Sequence, residues 1–158
     1  MKKFGYILGG FAGGVMFLLI VGASLAGSQM FLVSESKYGF SETVDIIESV
    51  SKEKGWTVSH IYNLQATMEK NGYQVKPVTV FSLCKPQIAY QVLSSDNERP
   101  VAAMMPCRVA VYETKEGKTL ISRMNAGMFT SMLSGVSREA MTQASQENEI
   151  ILKSVIKE

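Results

Sequence analysis

The sequence predicts an α+β domain, a small and mostly antiparallel sheet packed with helices, preceded by one N-terminal transmembrane helix. Three observations carry this expectation. A charge-free apolar run opens the chain, strand-like and helix-like periods interleave after it, and Lys115-Glu116-Gly117-Lys118 reads as a hairpin turn. Residues 1–28 are therefore read as the anchor and residues 29–158 as one domain, with a helical extension from about residue 126.

Phe4 to Ala26 is a 23-residue apolar run. As a helix it reaches about 35 Å, enough for a hydrocarbon core of about 30 Å. Lys2 and Lys3 precede it, and positive flanks stay in the cytoplasm, so the domain is expected on the extracytoplasmic side of a bacterial inner membrane. Ser24-Leu25-Ala26 also reads as a signal-peptidase site. Length favours a retained signal-anchor, because a cleavable h-region is about 7–15 residues long. Gly5, Gly9 and Gly13 line one face of this helix, a spacing that lets two membrane helices pack closely, with a second copy or with a membrane-protein partner.

In the body, Met30 to Lys37 alternates as a first strand, and Ser41 is the expected N-cap of a helix striped by Val44, Ile47 and Val50 and closed by Gly55. Trp56 to Tyr62 alternates as a strand, with Trp56, Val58 and Tyr62 on one face. Gln65 to Lys70 forms a short helix ended by Asn71-Gly72. Val75 to Leu83 is a third strand, which Pro77 places at an edge or a bulge. Pro86 opens another helix as far as Leu93. Val101 to Met105, Arg108 to Glu113 and Thr119 to Met124 read as strands. From Ala126 the chain is helical with a break near Gly135, and Val136, Ala140, Ala144, Ile151 and Val155 supply the buried stripe.

Composition excludes several functions. Of 16 Lys+Arg, all but Lys2 and Lys3 lie in a body that also carries the 14 Asp+Glu, so no basic excess exists for nucleic acid. Two cysteines and one histidine are too few for a four-cysteine metal site or a multi-histidine site. No glycine-rich phosphate loop, nucleophile elbow or zinc-protease pair occurs in the body, which argues against ordinary hydrolytic chemistry.

The candidate site residues are Cys84 with Lys85, and Cys107 with Arg108. Each cysteine stands beside a proline and before a cation. A helix start and Lys85 would favour the Cys84 thiolate, and Arg108 would act likewise on Cys107. Four readings stay open: two separate buried residues, a structural disulfide, an exchanging thiol pair, or a soft-metal site. For a metal such as copper, or a haem, the candidate ligands are Cys84, Cys107, Met104, Met105 and His60. Met124, Met128 and Met132 would stack three thioethers on one helix face, as packing or as soft ligands.

Several segments together resemble the domain-of-unknown-function family 302. They are Phe40 to Thr43, Gly55-Trp56, Leu64-Gln65-Ala66-Thr67, Leu83-Cys84-Lys85-Pro86 and the run from Met105 to Glu113. The resemblance implies a small α+β domain with a tendency to form homodimers, and it implies that both cysteine positions belong to the family pattern. It implies no activity and no cofactor. The resulting expectation is a non-enzymatic binding or accessory domain with Cys84 and Cys107 at or near its site. The alternatives are a thiol-redox or soft-metal protein and a structural subunit of a membrane complex.

Overall fold

In the computed structural model, residues 30–158 are described. The predicted membrane helix and its Gly5, Gly9 and Gly13 face lie outside them. Among the described residues no helix is long and apolar enough to cross a membrane.

The chain runs β1 (Phe31–Glu35), α1 (Phe40–Glu53), β2 (Thr57–Asn63), α2 (Leu64–Lys70), β3 (Val78–Cys84) and α3 (Pro86–Leu93). A 3-10 helix (Arg99–Met104) follows, then β4 (Cys107–Glu113), β5 (Thr119–Met124), α4 (Ala126–Thr130) and α5 (Gly135–Leu152). The sheet has the order β1-β5-β4-β3-β2, and the pairs β2–β3, β3–β4 and β4–β5 are antiparallel. Phe81 and Leu83 of β3, Val109 and Val111 of β4 and Ile121 of β5 form one buried face. Ile47 of α1, Ile88 and Val92 of α3, and Ala140, Ala144 and Ile151 of α5 pack onto it. Alternation along each strand sends the intervening residues to the other face, over which Ala89 and Leu93 of α3 reach.

Several expectations hold and several need correction. Gly55 ends the turn after α1 with φ of 75°, a left-handed backbone that glycine adopts without strain. Asn63 caps α2 through its side chain, which accepts from the Ala66 N–H at 2.8 Å. Ser41, however, lies inside α1. Gly39 is the N-cap and makes no side-chain cap bond. Thr43 holds this end instead, its hydroxyl donating to the Gly39 carbonyl at 2.8 Å.

Pro77 does not mark an edge, because β3 begins one residue later and runs between β2 and β4. Its carbonyl still accepts the Glu113 N–H at 3.0 Å, and its missing donor costs the ladder nothing. Val101 to Met105 is not a strand. Pro100 presets a helical φ at the start of the 3-10 turn, and an apolar run of this length has no distinguishing period. Val136 is 43% exposed, whereas Ala140, Ala144, Ile151 and Val155 are buried as expected. The three-methionine stripe does not form. Met124 ends β5, Met128 is in α4, and Met132 follows that helix at 80% exposure.

Candidate functional site

Three neighbouring strands place one polar residue each in a cross-strand row on the face that the long helices leave open. Ser82 of β3 is the register partner of His60 on β2 and of Arg108 on β4. A bulge at Ser59 makes this possible. Val58 pairs with Leu83 and His60 with Ser82, so the pairing skips one residue and the faces exchange beyond it. Val58 packs on the core, while His60 and Tyr62 turn to the outer face. The expectation that Val58 and Tyr62 share a face fails for this reason.

Over this row lies a cleft of ≈ 390 Å³. Its walls are Ala89 and Leu93 of α3, Ala102 of the 3-10 helix, and Met105-Pro106. Cys84, two residues beyond Ser82 and on the same side of β3, also lines it. The His60 and Tyr62 rings stack at 5.6 Å between centroids and 18° between planes. The Arg108 guanidinium carbon lies 5.3 Å from the Tyr62 ring centre, a cation–π contact. Among the described residues, Arg108 makes no ion pair or hydrogen bond, so its N–H edge is uncommitted. Ser82 is 2% exposed, and among the described residues its hydroxyl has no hydrogen-bond partner. A buried, unpaired hydroxyl costs about 1–3 kcal/mol. Among the described residues, no Asp or Glu lines the cleft.

The two cysteines are free and belong to different faces. Cys84 opens to the cleft, whereas Cys107 pairs with Leu83 and packs against the helix-side core. Burial pushes the Cys107 thiol up to about 11, and the nearby Cys84 adds to the rise. The expectation that Arg108 would lower it is overturned. Successive strand side chains point apart, so the guanidinium lies over Tyr62 on the other face while desolvation governs the thiol.

Lys85 is occupied elsewhere. Its ammonium contacts Glu147 Oε2 at 2.9 Å and donates to the Lys54 carbonyl at 3.0 Å. Glu147 also accepts from Trp56 Nε1 at 3.2 Å and Gln143 Nε2 at 3.0 Å. The Lys85 hydrogen bond holds the Glu147 carboxyl below the usual carboxylate range. This network ties the start of α3 to α5, and Lys85 and Trp56 share a small cavity with Cys84, Met105 and Cys107.

Met104 lines a neighbouring cavity of ≈ 50 Å³ together with Cys107, Met124 and Met141, and Arg108 borders both it and the cleft. There Arg123 pairs with both Glu149 oxygens at 2.8 Å and donates to Ser34 Oγ at 2.8 Å. Among the described residues, no group of three His, Cys, Asp or Glu is arranged to hold a metal ion. Of the predicted candidates, the structure thus gathers Cys84, Arg108, His60 and Met105 in one cleft and leaves Cys107, Lys85 and Met104 outside it. Ser82 and Tyr62 were not foreseen. The one available signal for Ser82 was a hydroxyl set between Phe81 and Leu83 in the strand Val78–Cys84, which carries a second hydroxyl at Thr79.

A five-stranded sheet with helices on one face and a cleft on the other defines a small α+β domain. The chain belongs to the family described as "Domain of unknown function DUF302", whose model matches residues 32–158. It is similar in fold to a solved structure described as an uncharacterized conserved DUF302 protein from Bacillus stearothermophilus. The TM-score is 0.69 at 21% identity, over 78% of this chain and 96% of that one. No curated protein matches the chain.

Proposed function

We propose that this protein is a membrane-anchored, non-enzymatic binding domain whose ligand site is the outer-face cleft over His60, Ser82 and Arg108. The observation that carries the reading is the Ser82 hydroxyl, buried without a partner at the base of a cleft large enough for a small molecule. A group that costs stability in the empty protein gains a bond when an occupant supplies one. Cys84 belongs to this site, and Cys107 stands behind it on the other side of the sheet.

The apolar run from Phe4 to Ala26 and its flanking Lys2 and Lys3 support an inner-membrane anchor with the domain on the extracytoplasmic side. The Gly5, Gly9 and Gly13 spacing and the dimerising tendency that the family resemblance implies support a homodimer.

The binding reading is tested with a fragment screen by ligand-observed NMR on the full chain. Ala102→Trp, which fills the cleft from one wall, serves as the control. Hits that disappear with Ala102→Trp support the site. A screen without hits, or hits indifferent to the substitution, overturns it.

A further inference from the structure

We infer that the cleft takes a small monocarboxylate with an apolar or aryl tail, the carboxylate bound between the Arg108 guanidinium edge and the Ser82 hydroxyl. The inference rests on the cleft being the ligand site and adds the class of ligand. Four features of the site argue for it.

The first is charge. Among the described residues, Arg108 is the one permanently charged group that lines the cleft, and no carboxylate lines it. A single anionic head is matched by this site. A phosphate monoester, with a charge of about −1.5 to −2, would bring more charge than one guanidinium neutralises.

The second is geometry of donors. The guanidinium carbon lies 5.3 Å from the Tyr62 ring centre, and among the described residues no acceptor takes its N–H fork. That fork matches the two oxygens of a carboxylate and gives charge-assisted hydrogen bonds.

The third is Ser82. It is the cross-strand partner of Arg108, so its hydroxyl and the guanidinium arise from adjacent backbone positions on one face. Its O–H is a donor without an acceptor in the protein, and a carboxylate oxygen is an acceptor.

The fourth is the wall. Ala89, Leu93, Ala102, Met105 and Pro106 offer hydrocarbon surface opposite the polar row. They make a place for an apolar group but no further hydrogen-bonding side chain. The His60 ring, stacked on Tyr62, extends a flat surface on which an aryl group can rest. The volume of ≈ 390 Å³ lies within the range of about 300–1,000 Å³ usual for small-molecule sites.

The test titrates the full chain calorimetrically with phenylacetate, 2-phenylethanol, phenethylamine and inorganic phosphate. The same titrations are run on Arg108→Met, Arg108→Lys and Ala102→Trp. The expected result is binding of phenylacetate at least tenfold tighter than of the alcohol, with no binding of the amine. Arg108→Met should remove the tenfold preference, so that phenylacetate binds no tighter than the alcohol, and Arg108→Lys should restore part of it.

Equal affinity for acid, alcohol and amine overturns the ligand class, as does tighter binding of phosphate or a preference that survives Arg108→Met. These outcomes leave the cleft itself standing as a site. If none of the four probes binds, or if binding persists unchanged in Ala102→Trp, the proposed site fails and the ligand class with it.

Discussion

Replacing Ser82 by Ala should make the protein more stable and a poorer binder at once. The hydroxyl is buried at 2% exposure with no partner, so in the unliganded fold it carries a desolvation cost of about 1–3 kcal/mol with no bond to offset it. Alanine removes that cost and creates almost no cavity, since only one oxygen is lost. Strand preference differs between the two residues by less than the whole β-propensity scale of about 1 kcal/mol. The net expectation is a gain of about 1 kcal/mol, or about 3–5 °C in Tm.

Trp56, the single tryptophan and 3% exposed, reports unfolding by fluorescence. In urea the midpoint should rise by about 0.5 M with an unchanged slope. Ser51→Ala is the internal comparison. Its hydroxyl is equally buried and unpartnered, but it lies in α1 and lines no cleft. It should stabilise as much or more without touching phenylacetate affinity, whereas Ser82→Ala should weaken that affinity several-fold. A lower urea midpoint for Ser82→Ala would mean that the hydroxyl is bonded in the folded protein, and the reasoning that marks the cleft as a site would be refuted.

Other consequences are equally direct. Glu149→Leu should cost about 2–3 kcal/mol, less than for a fully buried pair because Glu149 is about a third exposed, since it strands the Arg123 guanidinium. Arg123→Met combined with Glu149→Leu should cost less than Glu149→Leu alone, which a urea double-mutant cycle reads. Glu147 has its carboxyl lowered from 4.5 by Lys85, so its stabilisation is present above pH 4.5 and is lost as pH falls through the folded value. Lys85→Met should flatten that part of the acid unfolding profile. With its pKa near 11, Cys107 is about one part in a thousand thiolate at pH 8. Iodoacetamide should therefore label Cys84 well before Cys107 in the folded protein, and peptide mass mapping would detect equal rates as a contradiction. Gly55→Ala should destabilise by about 1–2 kcal/mol through its φ of 75°, measured by the same urea assay.

Features written into adjacent residues were legible from the sequence. Pro86 opening α3, Asn71-Gly72 closing α2, Gly55 ending α1 and the Gly117 hairpin turn each depend on local backbone sterics, and the structure places each as read. What escaped depends on pairing between distant segments. Pro77 pointed to an edge because a proline shows only its missing donor and not where the ladder begins. The methionine spacing matched a helix that a strand end and a turn interrupt between Met124 and Met132. Cys84 and Cys107 follow the same local pattern, and although the Leu83–Cys107 register turns Cys107 to the core side, both line one small cavity with Lys85 and Trp56. Ser82 was invisible because one hydroxyl in an apolar strand acquires meaning only beside the residues across from it on β2 and β4.

The bulge at Ser59 has a consequence for how this site can change. The chemistry facing the cleft from β2 is set by pairing register as much as by side-chain identity. If Ser59 itself paired with Ser82, the bulge would vanish and the rest of β2 would slip by one residue, carrying the imidazole and the phenol to the core side and Ile61 to the outer one. The guanidinium would lose the ring beneath it, with no position on β3 or β4 altered. The register chosen at Ser59 is therefore a toggle between an aromatic floor and an aliphatic one, whereas deletion of Ser59 would keep the aromatic floor. Substitutions would need several simultaneous changes to reach the same exchange.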